Sequence, residues 1–193
     1  MKESKFWVWF IPLFLTACIG IYFMINKTIN RNEVKTNTDA IKIKEEYLAD
    51  NNNYFTVNLS DNNVYKYINK KDLMETLEKK DGLIFIGNPK NNITRKNIVV
   101  LNDVVSSTSV PEIYYIDIKD IDDDLNDYLS DEKDINTIKS GTLISVEDGE
   151  ILKVYYPTFV IDNKELTTNE RDNLFNSYKE IVNKFIEECD ENC

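Results

Sequence analysis

The chain has 193 residues, 42% of them hydrophobic and 30% charged, with a formal net charge of -11, no histidine and three cysteines. This balance excludes a wholly disordered or wholly membrane-embedded chain, and beyond an apolar N-terminal segment it leaves the length of one ordinary domain. The acidic excess sets phosphate backbones aside, so no nucleic acid is expected as a partner; the missing imidazole removes Ser-His-Asp and Cys-His catalysis and most zinc sites.

In chain order, the first element is "FWVWFIPLFLTACIGIYFMI", Phe6 to Ile25, a run without a charge and long enough to cross a bilayer as a helix. Trp7, Trp9 and Tyr22 suit the two interfaces. Within it Leu15-Thr16-Ala17-Cys18 also resembles a bacterial lipobox, which would make Cys18 a lipidation site. An uncleaved transmembrane anchor and a lipoprotein signal both stand as readings, and either ties the chain to a membrane through residues 1–25. Residues 26–53 read as a polar spacer with a short helix anchored by Ile41, Ile43, Tyr47 and Leu48.

The domain is expected over residues 54–193. "YFTVNL", Tyr54 to Leu59, alternates like a strand. "NKKDLMETLEKK" reads as a helix with Leu73, Met74 and Leu77 on one face, stopped by Asp81-Gly82. Leu83 to Ile86 reads as a central strand buried on both faces, followed by the Gly87-Asn88-Pro89 break and a helix from about Asn92. Glu112 to Ile118 is a second central strand.

The acidic stretch after it places Asp120, Asp122 and Asp124 like the first ligands of a calcium loop. Leu125 and Asp131 break that pattern, and a solvated helix and loop is the reading. Ile151–Val154 and Thr158–Ile161 read as strands around Tyr155-Tyr156-Pro157, with a turn at Asp162-Asn163-Lys164. A capping box, Thr167 to Glu170, opens a last helix whose stripe is Leu174, Tyr178, Ile181 and Phe185. The many asparagines are read as base bias of an AT-rich genome and carry little weight singly.

This order, with "IFIGNPKNNITRKNIVVLNDV", "EIYYIDIKD" and "VYYPTFVIDNKEL" in it, resembles the thioredoxin family, and within it the membrane-tethered thioredoxin-like proteins of Gram-positive bacteria. The resemblance implies an α/β fold, a mixed sheet flanked by helices. Family members carry Gly-x-Pro-x-Cys-Pro-x-Cys and then an arginine where this chain reads Gly87 to Arg95, so Asn91 and Thr94 stand at the two cysteine positions. It also implies that Pro157 is the family's cis-proline, with Tyr156, Pro157 and Thr158 forming a loop that bonds an extended polypeptide lying across the helix start.

Thiol-disulfide exchange needs a thiolate, and neither a carboxamide nor a threonine hydroxyl without a base supplies one. Asn91 or Asn92 is expected to cap the helix, and Arg95 to be a solvated surface charge. The expectation is a non-catalytic module outside the cytoplasm that binds an exported polypeptide, without cofactor or metal. The alternative is a thiol-disulfide oxidoreductase working through Cys189 and Cys193. Their spacing of four along a helix brings the Cα atoms to about 6 Å, within reach of a disulfide that pins the terminus.

Overall fold

The structure is a computed structural model and describes residues 37–135, 138–158 and 165–192, with side chains up to residue 187. Residues 1–36, with the apolar segment and Cys18, lie outside the described residues, as do residues 159–164, Cys193 and the side chain of Cys189. Among the described residues no helix is long and apolar enough to cross a membrane.

Helix α1, Thr38–Ala49, begins where the Asn37 side chain accepts the Ala40 N–H. It puts Ile43 and Tyr47 into the main core, so the compact unit begins at Asn37 and this helix is part of the domain. Strand β1, Tyr65–Tyr67, is short, and α2, Lys70–Lys79, follows under an Asn69 cap. Strand β2, Gly82–Gly87, is buried along its whole length, and its Leu83 to Ile86 run reads as apolar on both faces for that reason. Each of these side chains contributes about 1.5–3 kcal/mol by leaving water. Helix α3, Asn92–Val105, and strand β3, Ile113–Asp117, come next.

A short 3-10 turn, Ile118–Asp120, leads to α4, Asp123–Asp131, capped by Asp122. The hairpin β4, Leu143–Glu147, and β5, Glu150–Tyr155, precedes α5, Thr168–Asn192.

The sheet order is β1-β3-β2-β4-β5. Strands β1, β3 and β2 are parallel, β4 is antiparallel to β2, and β5 is antiparallel to β4. Alternation along β2 divides the interior: Leu83 and Phe85 face α1, α3 and α5, while Ile84 and Ile86 face α2 and α4. The result is an α/β domain with a mixed sheet between two helical layers.

Two sequence expectations fail here for identifiable reasons. Tyr54 to Leu59 is not a strand. Val57 and Leu59 are buried as the alternation implies, but no described strand pairs with them. Instead the Asn51 carboxamide accepts the Val57 N–H at 2.9 Å and donates to its carbonyl at 3.1 Å. Second, β4 is absent from the sequence reading. Asp148 and Gly149, with φ of 47° and 78°, make the two-residue turn that joins β4 to β5, so the hairpin lies one strand earlier than expected.

Candidate functional site

Strands β2 and β3 end side by side, Gly87 opposite Asp117, and the chain leaves both at the same end of the sheet. Gly87 has to lack a side chain, because a Cβ there would lie 2.2 Å from the Tyr115 ring. The following loop, Asn88 to Asn91, turns into α3. Its cap is Asn91, whose Oδ1 accepts the N–H groups of Ile93 at 2.8 Å and Thr94 at 3.2 Å. That leaves the helix-start amides, which would otherwise favour an anion, already engaged.

Asn91 is half-buried, and Thr94 is wholly buried with a hydroxyl that has no hydrogen-bond partner among the described residues. Neither group can attack a disulfide: the carboxamide has no nucleophilic atom, and the hydroxyl has no base beside it.

Arg95 is not the solvated charge that its place in the helix implies. It is fully buried. Its Nε donates to the Phe55 carbonyl at 2.5 Å, Nη1 to the Pro89 carbonyl at 2.6 Å, and Nη2 to the Tyr47 carbonyl at 2.8 Å and to Asn51 Oδ1 at 2.5 Å. The Tyr47 and Tyr54 ring centroids lie 5.5 and 5.9 Å from its Cζ. Burial lowers its pKa, yet a guanidinium stays protonated in any protein setting. Four neutral acceptors therefore share one buried positive charge. Asn92 adds a fifth tie, its Oδ1 accepting the Phe55 N–H at 2.7 Å.

An open cleft of about 640 Å³ lies on the α1 side of this loop. Its walls are the last turn of α1 (Glu46, Ala49, Asp50) and the loop (Asn88, Pro89, Lys90), and it is completed by Asp117 and Lys119 beyond β3. Asp117 is buried and internally satisfied: Oδ1 accepts the Lys119 N–H at 3.0 Å and Oδ2 the Lys119 ammonium at 2.9 Å. Deeper in, the Tyr47 and Tyr115 hydroxyls lie 3.3 Å apart, and burial raises the pKa of both phenols. The Tyr67 hydroxyl donates to Glu46 at 2.5 Å.

The structure does not bring Tyr156, Pro157 and Thr158 to the Asn91 loop as neighbours. Tyr155 pairs with Leu143 and Leu143 with Phe85, so the end of β5 is at the right end of the sheet but with β4 between it and β2. The segment that adjoins β2 there is Gly141-Thr142. The Gly141 N–H donates to the Ile86 carbonyl at 2.7 Å, and the Ile86 N–H to the Thr142 carbonyl at 2.9 Å. The expected cis bond before Pro157 is also not found, since no described peptide bond is cis. Both corrections follow from the missed strand β4, which displaced the proline by one strand in the reading.

Among the described residues no group of three or more acidic or cysteine side chains is placed to hold a metal ion. Asp122 instead caps α4 through the Leu125 N–H at 2.9 Å and takes the Lys70 ammonium at 2.7 Å. No family model matches the chain, and no curated protein matches it.

Proposed function

We propose that this chain is a thioredoxin-like domain, held at a bacterial membrane by its N-terminal apolar segment and facing outside the cytoplasm, that binds an extended polypeptide without thiol-disulfide chemistry. The sheet order, with three parallel strands followed by an antiparallel pair and helices on both faces, supports the resemblance. One observation carries the non-catalytic reading. The strand, loop and helix start are built with a half-exposed first position and a sealed fourth one, as a reactive pair requires, but Asn91 occupies the helix-start amides and Thr94 fills the sealed position without a partner among the described residues.

What remains at this end of the sheet is a binding surface. The backbone role that the resemblance gives to Tyr156 passes to the segment Ser140 to Thr142, because that segment adjoins β2. The test is hydrogen exchange on the full chain in lipid nanodiscs, with and without a reduced, alkylated, permanently unfolded polypeptide. Protection over residues 88–92 and 138–142 is expected. Unchanged exchange in both segments overturns the reading.

A further inference from the structure

We infer that Tyr178 of α5 is a positioning residue for the polypeptide site: its hydroxyl, bonded toward both sides of that site, sets the distance between the first turn of α3 and the Gly141 backbone. This deepens the polypeptide-binding reading and rests on it.

The two sides of the site meet at this phenol. Tyr178 is wholly buried, and its hydroxyl donates to Asn97 Oδ1 at 2.5 Å and faces the Gly141 carbonyl oxygen at 3.3 Å. Asn97, also wholly buried, passes the tie on, because its Nδ2 donates at 2.7 Å to the carbonyl of Ile93 in the first turn of α3. Gly141 stands against the same carboxamide: a Cβ there would lie 3.1 Å from Asn97 Nδ2, and its φ of 99° is one that glycine adopts without strain. The Tyr155 ring packs on the Tyr178 ring with centroids 4.8 Å apart, so the phenol is held from the β5 side as well. Burial raises the phenol pKa, and the oxygen keeps the proton it donates.

Folding alone does not call for these groups. Ile98, Leu101, Leu174 and Ile181 belong to the same core, and phenylalanine and leucine would fill the places of Tyr178 and Asn97. Replacing both partners of a buried hydrogen bond by apolar groups of similar shape is nearly neutral for stability. A satisfied buried network instead restricts how the elements it joins can sit.

What the network holds is a backbone open to a partner. The Gly141 N–H donates to the Ile86 carbonyl at 2.7 Å and the Gly141 carbonyl faces Tyr178; the Thr142 N–H donates to the Lys139 carbonyl at 3.1 Å, and the Thr142 carbonyl accepts the Ile86 N–H at 2.9 Å. Ser140, half-buried beside them, has neither its N–H nor its carbonyl bonded among the described residues. An open donor and acceptor next to fixed neighbours suit strand-like pairing with an extended chain, and the fixing lowers the ordering cost of binding.

The experiment is fluorescence anisotropy of fluorescein-labelled, carbamidomethylated insulin B chain on the full chain in nanodiscs of neutral lipid, with a urea midpoint for each variant. Asn97→Leu/Tyr178→Phe removes both partners; Tyr65→Phe removes another buried hydroxyl, bonded to the Ile98 carbonyl of α3 at 3.4 Å. The double variant is expected to keep the natural midpoint and raise Kd at least tenfold, and Tyr65→Phe to change Kd less than twofold. A second readout needs no ligand: in Tyr178→Phe the Gly141 amide should exchange at least tenfold faster while the β2 amides of Ile84 and Phe85 are unchanged. Natural affinity in the double variant, equal weakening by Tyr65→Phe, or equal acceleration at Gly141 and β2 would each overturn the positioning role while leaving polypeptide binding intact. No binding by the natural chain would overturn both.

Discussion

The two longest helices among the described residues, α3 and α5, pack on the same face of the sheet and begin in opposite ways. At the start of α5 the cap is local and exposed: Glu170 accepts the Thr167 N–H at 2.8 Å, Thr167 Oγ1 accepts the Glu170 N–H at 3.3 Å, and the longer tie, Arg171 to Asp103 of α3 at 2.5 Å, is an exposed ion pair. At the start of α3 Asn91 makes a comparable cap, but the residues after it reach across the fold. Asn92 bonds Phe55, Arg95 bonds Tyr47, Asn51, Phe55 and Pro89, and Asn97 takes the Tyr178 hydroxyl. A helix start can be fixed by four residues. One tied into α1, the loop and α5 at once is a positioned surface, and it is here that the sequence lacks the expected sulfur.

The contrast predicts an ordered set of losses. Arg95→Met should be the most damaging, because it takes the guanidinium from three backbone carbonyls and removes one of the two donors to Asn51 Oδ1. A loss of at least about 3 kcal/mol is expected, read as a fall in the urea midpoint of the full chain. If the loss is under 1 kcal/mol, α3 is not held differently from α5.

Asn91→Ala removes a cap that serves two N–H groups and should cost about 1 kcal/mol on the same scale. Thr94→Val has the opposite sign. It deletes a buried hydroxyl that has no partner among the described residues, so a gain of about 1 kcal/mol is expected, and a loss would mean that the hydroxyl is engaged.

The smallest effect belongs to α5. The Thr167 hydrogen bonds hold the Glu170 carboxyl below the usual carboxylate range. A depressed folded-state pKa contributes stability above the unfolded value that is lost as pH falls through the folded one, so the first turn of α5 should fray only in acid. An NMR titration of Glu170 checks this, with Thr167→Ala returning the carboxyl toward its ordinary value.

The same contrast explains what could be read in the sequence. The α5 capping box, the cap of α3 at Asn91, one of the two asparagines expected there, and the buried run of β2 are local patterns, and each stands where it was expected. Strand β1 has three residues, too few for any alternation to show. Strand β4 had a usable signal: Asp148-Gly149 lies between Leu143–Glu147 and Glu150–Tyr155, an Asp-Gly turn between two strand-like runs.

Arg95 had none, since nothing near it in the chain marks acceptors 40 and 48 residues away. The asparagines were underread for a related reason. Composition accounts for their number, but Asn51 and Asn92 satisfy backbone groups in the Phe55–Val57 segment, which has no strand partner, while Asn63 bonds the Ala40 carbonyl of α1 and Asn97 the buried Tyr178 hydroxyl of α5. The cleft wall was hidden with them, because Glu46 and Asp50 lay in what read as a spacer.

Disulfide turnover tests the central claim most directly, as the rate at which dithiothreitol reduces insulin in the presence of the full chain. The account predicts that the natural chain leaves the dithiothreitol rate unchanged and that Asn91→Cys/Thr94→Cys raises it, because on the proposed reading those are the two positions at which a reactive pair would sit. Acceleration by the natural chain that disappears when Cys189 and Cys193 are changed to serine would contradict it, as would a double variant that accelerates nothing.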